Sequence, residues 1–193
     1  MWDAISGKHT DTLIRKAFEF KKYNKDDIVD YHTHIFGIGQ NFKTFQLSHP
    51  CCPEFNKKHF SWKNPKKRLK ALVYFSAMKI TDLTNADVQY ARRLLDMVKN
   101  FPYGKFCIFA MDAYHDKTGK INCDRTDLYV PNDYVLKLAR YLNDEIGKER
   151  FIPVISIHPL REHAVELLEY YSNQGVKHVK WLPNAMNIDP ANY

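Results

Sequence analysis

Apolar positions along the chain follow two periods, and the change between them marks the elements. Between Thr10 and Phe20, Leu13, Ile14 and Ala17 recur at helical spacing; a polar stretch through Asn24 and Asp27 then leads into Ile28-Val29-Asp30-Tyr31-His32, so a helix followed by a strand is predicted. From Ile35 to about Trp62 no period is sustained and Pro50 and Pro53 interrupt the backbone, a length of connection that tends to carry function. Leu69, Leu72, Val73, Ala77 and Ile80 recur at offsets of one helical face and predict an amphipathic helix. Thr84 with Asp87 three residues on resembles a capping box ahead of Val88, Ala91, Leu94, Leu95 and Val98.

The second half is more regular. Phe106 to Met111 is a continuous apolar run, as expected of a strand covered on both faces. Asn132 is placed to cap a helix with Val135, Leu138, Ala139, Leu142 and Ile146 inward. A second buried strand runs from Phe151 to Ile157, a helix over 161–174 turns Ala164, Leu167, Leu168 and Tyr171 inward and stops at Gly175, and Val176 to Leu182 supplies another strand. Alternation of strand and helix with short connections predicts an α/β fold with parallel strands.

Composition agrees with a globular chain: 193 residues, 45% hydrophobic and 26% charged, enough for a sizeable core. The net charge of +7 is local, because Lys57, Lys58, Lys63, Lys66, Lys67, Arg68 and Lys70 lie in one stretch without a carboxylate. Such a run with Phe60 and Trp62 beside it can contact phosphates, but is more often the solvated face of a helix, so nucleic acid is not the expected partner. No apolar run approaches the 18 or so residues of a bilayer span, and no basic and apolar leader opens the chain. The four cysteines, Cys51, Cys52, Cys107 and Cys123, therefore read as reduced thiols in a cytoplasmic protein. Adjacent Cys51 and Cys52, flanked by His49 and His59, lack the spacing of a structural zinc site.

The chemistry concentrates at the first strand. Side chains alternate along a strand, so Asp30, His32 and His34 are expected on one side, where two imidazoles can lean onto one divalent ion. A His-x-His pair arises by chance about 0.4 times in a chain of this composition, and about 0.03 times with Asp two residues earlier. The plain alternative is a pair of polar residues closing a strand.

Ile28-Val29-Asp30-Tyr31-His32-Thr33-His34 resembles the first-strand metal motif of the amidohydrolase superfamily, metal-dependent hydrolases built on a (β/α)8 TIM barrel. Phe151 to Pro159 and Gly175 to Pro183 are similar to strands three and four of the amidohydrolase-related branch, which includes decarboxylases and lactonases of small carboxylated substrates. The resemblance implies an incomplete barrel of about four βα units, with strands near 28–34, 106–112, 151–157 and 177–182 and a loop and helical insertion over 35–100. A closed barrel usually needs about 250 residues. The chain thus reads as the N-terminal part, residues 1–193, of a single barrel domain, truncated and inactive alone, with an open sheet edge through which it would self-associate.

The resemblance further implies a divalent metal, zinc first, held by His32 and His34, and a small-molecule substrate attacked by metal-activated water at a carbonyl, ester or amide carbon. Lys180 falls on the fourth strand, where family members place a carbamylated lysine that bridges metals; it is the expected catalytic residue and third ligand. As an inward lysine it needs a partner, and either a carboxylated side chain or a cation holding a substrate carboxylate meets that need; otherwise it snorkels to solvent. Asp112 and His158 at strand ends, with Asp30, are expected to support the ligands rather than bind metal. Two other readings are a binding module whose basic segment contacts nucleic acid or protein, and a phosphoesterase that opens with Asp-x-His-x-His. The latter family places an Asp-His pair at its second strand, and no Asp-His dipeptide occurs here.

Overall fold

The computed structural model describes residues 24–35, 65–82, 85–101, 103–126 and 128–192, with scattered residues between 12 and 19 that are helical. The long connection after Ile35, the Cys51-Cys52 pair with His49 and His59, Thr84, and all of the basic stretch before Pro65 lie outside them.

A 3-10 turn at Lys25–Asp27, capped by the Asn24 side chain on the Asp26 N–H, feeds strand β1, Val29–His34. Helices α1, Pro65–Ala77, and α2, Ala86–Asn100, precede strand β2, Lys105–Phe109. Helix α3, Asn132–Ile146, leads to strand β3, Phe151–Val154. Helix α4, Ala164–Asn173, the short helix α5, Pro183–Met186, and a final 3-10 turn at Pro190–Asn192 complete the order.

The sheet is parallel in the order β1-β2-β3. This is an α/β architecture of three strands, and no barrel is formed by the described residues. The strands are shorter than expected. β2 stops at Phe109 rather than 112, β3 at Val154 rather than 157, and the expected fourth strand is reduced to one parallel bridge, Ile155 to Val179, with Ile155 N–H donating to His178 and Lys180 N–H to Ile155. Apolar runs continue past these ends because the residues stay buried in irregular backbone: Ala110, Met111, Ile155 and Ile157 are all inside.

The main core joins Leu94, Leu95 and Val98 of α2, Ile108 and Phe109 of β2, Leu138 and Leu142 of α3, and Phe151 and Val154 of β3. Residues 86–100 are therefore a core helix packed on α3, although they fall within the stretch expected as an insertion. Helix α1 differs from its reading: Leu69, Leu72 and Val73 are exposed, and Phe75 with Ile80 packs on Ala86. Periodicity announces a helix but not which of its apolar residues finds a partner. Helix α2 starts with Asn85 at its N-cap.

Two asparagines tie helices to strands, and neither acts as the sequence suggests. Asn132 is inside α3 rather than capping it, and its amide accepts from Ser156 N–H at 2.8 Å and donates to Ser156 C=O at 3.1 Å. Asn143 accepts from the backbone of Arg150 and Phe151, both at 2.8 Å, which fixes the start of β3. Gly147 ends α3 with φ +71°, the left-handed cap that glycine supplies without a Cβ penalty.

Cys107 is a buried free thiol in β2, its pKa raised first by burial and then by the Asp30 charge. Cys123, by contrast, is disulfide-bonded, which corrects the reading of all four cysteines as reduced and takes away the ground on which a reducing compartment was expected. Among the described residues no helix is long and apolar enough to cross a membrane.

Candidate metal centre at the end of the first strand

β1 does not run evenly. Asp30 pairs with Phe106 and Thr33 with Ile108, so three steps on β1 match two on β2, and the strand carries a bulge between them. Asp30 stabilises that bulge: its carboxylate accepts from the His32 N–H at 2.8 Å and from the Thr33 hydroxyl at 3.2 Å. The aspartate expected beside the histidines is thus committed to the strand's own backbone.

Past the bulge, His32 and His34 converge. Their Nε2 atoms lie 3.1 Å apart, with ring centroids at 4.9 Å and the rings near perpendicular. Phe109, at the end of β2 and fully buried, forms the floor, edge-on to His32 at 5.3 Å and to His34 at 4.7 Å. The His34 backbone is held in turn, its C=O accepting from the Tyr90 hydroxyl at 2.8 Å. Desolvation over this apolar floor, and after it the His32 and Lys180 charges, lowers the His34 pKa.

Lys180 reaches the same place from beyond β3. Its ammonium is 3.3 Å from His32 Nδ1 and 4.7 Å above the Phe109 ring, a cation–π arrangement. Strands are about 4.8 Å apart, so a flat sheet would hold β1 and residue 180 about 14 Å apart. Their side chains meet, as do the rings of Tyr31 and His178 at 6.4 Å, because the sheet curls over Phe109. An ammonium only donates, so His32 Nδ1 is the acceptor and the proton of neutral His32 sits on Nε2, directed at the bare Nε2 of His34. Lys180 therefore stands on the ring nitrogen of His32 that faces away from His34, where it orients the imidazole instead of sharing the space between the two Nε2 atoms.

Asp112 and His158 lie elsewhere. Asp112 accepts from the Ala113 and His158 N–H groups, both at 2.8 Å, and pairs with Arg161 at 3.1 and 3.2 Å. His158 stacks on His115, centroids 4.5 Å apart. Neither bonds to His32 or His34. His115 is fully buried, and nothing in its sequence surroundings singles it out, because it sits in an irregular stretch with no period.

Could the two imidazoles take a metal? Two nitrogens at 2.0–2.1 Å from a tetrahedral ion are about 3.3 Å apart, so the observed separation is within a few tenths of an ångström of that requirement. Among the described residues no third His, Cys, Asp or Glu joins them. The pair is a two-nitrogen seat with a cation and an aromatic floor beside it. No protein-family model, curated protein or solved structure matches the chain.

Proposed function

We propose that the chain carries the metal seat of an amidohydrolase-type, metal-dependent hydrolase, with His32 and His34 as the nitrogen ligands of a divalent ion, zinc first. The observation that carries this reading is the 3.1 Å approach of the two Nε2 atoms at the C-terminal end of a parallel strand, the end at which α/β enzymes build their sites. When bound, the ion would supply Lewis acidity, activating water near neutral pH and polarising a carbonyl or ester oxygen.

The chain's own residues do the rest. Phe109 excludes water from beneath the rings and fixes their tilt. Asp30 pins the bulge that lets His32 and His34 converge. With a metal on His32 Nε2, the His32 proton would stand on Nδ1 and the Lys180 ammonium would be released from that ring, so that Lys180, set over Phe109, would have its donors free to hold a carboxylate on the substrate. Substrates of the class are small carboxylated lactones, esters or amides.

The test is calorimetric binding, by the zinc-loaded chain, of a panel of small lactones, esters and amides, each with and without a carboxylate. Binding confined to the carboxylated members and weakened about tenfold or more in Lys180→Met is expected. Binding indifferent to the carboxylate, or unchanged by Lys180→Met, would contradict the role given to Lys180.

A further inference from the structure

Two fully buried histidines stand outside the proposed metal seat, and the Nε2 atoms of both, His115 and His158, have no hydrogen-bond partner. Buried polar atoms are nearly always satisfied, so a stacked pair with both Nε2 atoms free calls for a reason. The protonation of each ring follows from its other nitrogen. His115 Nδ1 lies 2.8 Å from the Ala113 C=O, which only accepts, so Nδ1 carries the proton and Nε2 is bare. His158 Nδ1 lies 3.1 Å from the Leu160 N–H, which only donates, so Nδ1 is bare and Nε2 carries the proton. The pair is neutral, and it has two basic nitrogens left. A proton on His115 Nε2 would have no acceptor. A proton on His158 Nδ1 would point at the Leu160 N–H.

The same two rings underlie the segment 182–188. His115 donates its backbone N–H to the Met186 C=O at 3.4 Å and accepts at its own C=O from Asn187 Nδ2 at 3.0 Å. Met186 is 1% exposed, with its sulfur on the Leu182 N–H and the Ser156 hydroxyl. The segment itself, Leu-Pro-Asn-Ala-Met-Asn-Ile, has no ionisable side chain. The ionised groups facing the pair come from beneath, Asp112 and Arg161, the latter also in contact with Tyr129; Asp112 is spent on Arg161 and two backbone N–H groups.

We propose that the His115–His158 pair is an acid-released latch that holds segment 182–188 over the ends of β2 and β3. Neutral rings let the segment close; a proton taken up by either ring has no place in the closed form and favours the open one. Burial and the neighbouring His115 hold the His158 pKa below 6.5, against smaller opposing effects of Asp112 and of the Met186 carbonyl, which faces His158 without reaching hydrogen-bond geometry. Well above pH 6.5 His158 is neutral in both forms and the latch is at full strength. As pH falls below 6.5 the open form binds a proton that the closed form refuses, and closure weakens.

Amide hydrogen exchange on the full chain, expressed as protection factors, tests this. Protection of the Met186 and Ile188 amides is expected to fall about 20-fold between pH 7 and pH 5 for one proton taken up. In His115→Asn/His158→Asn, which keeps a donor for Ala113 and an acceptor for Leu160 but cannot titrate, protection is expected to be flat over that range. Imidazole 15N shifts of the wild-type chain supply a readout that needs no variant, and should show one Nδ1–H ring and one Nε2–H ring in the closed form. Flat protection in the wild-type chain, an equal acid loss in the double variant, or both rings charged at pH 6 with the segment still protected would overturn the latch.

Discussion

Phe109→Ala is expected to destabilise the fold by about 3–5 kcal/mol and to take the metal seat with it. The ring is 0% exposed in the main core, between α2, α3 and the two neighbouring strands, so its removal leaves a cavity that the sheet cannot close without moving both partners. The same ring is the floor against which His32, His34 and the Lys180 ammonium are set. The two losses separate in Phe109→Leu. Most of the buried volume is kept and the cost should drop to about 1–1.5 kcal/mol, while the edge contacts to the imidazoles and the cation–π contact disappear. Denaturant unfolding of the two variants beside a zinc titration measures both quantities. A Leu variant that binds zinc as the wild type does would show that the floor matters only for packing.

Arg150→Met should cost about 3–5 kcal/mol, for a different reason. Arg150 is 6% exposed, directly before β3, and its guanidinium donates to the carbonyls of Phe101, Tyr103 and Gly104 in the turn that leads into β2. One side chain thus satisfies three carbonyls of a tight turn, and an apolar replacement leaves them without these donors, at about 1–1.5 kcal/mol each for largely part-buried groups. That turn is also closed sterically: Gly104 has φ +68°, and a Cβ there would meet the Ile28 carbonyl at 2.8 Å. Thermal unfolding of Arg150→Met against Arg150→Lys checks the account. A single ammonium cannot bond three carbonyls in the fork geometry, so Lys should recover little of the loss. Full recovery by Lys would contradict the carbonyl clamp and point to charge alone.

What the sequence makes legible follows from where burial is complete. Cys107 to Phe109, buried on both faces, reads directly as a strand, as does Phe151 to Val154, buried at its two ends and half-buried between them, and Val135, Leu138, Ala139 and Leu142 of α3 fall inside as their period requires. The ends of those strands are not legible, since Ala110, Met111 and Ile157 are equally apolar but leave the ladder. In α1 the most regular residues, Leu69, Leu72 and Val73, are outside, because a period carries no information about a partner.

At the site, His32, His34 and Lys180 are neighbours, but Lys180 lies on His32 Nδ1 and not between the two Nε2 atoms as a third ligand would, and the bulge that turns Asp30 onto its own strand is a matter of pairing with β2 that cannot be seen in β1 alone. Asp112 and His158 are joined as strand-end neighbours, but to Arg161 and His115 rather than to the metal seat. The partners of His115 are irregular backbone and a segment 71 residues later in the chain, a distance over which no local pattern operates.

Zinc content after equilibrium dialysis of the full chain, compared with His32→Ala and His34→Ala, tests the metal seat most directly. The account predicts close to one zinc per wild-type chain and at least a tenfold weaker affinity in each variant, with unfolding of the metal-free proteins little changed, since both side chains are solvent-exposed. Zinc bound equally by all three chains, or by none of them, would contradict it.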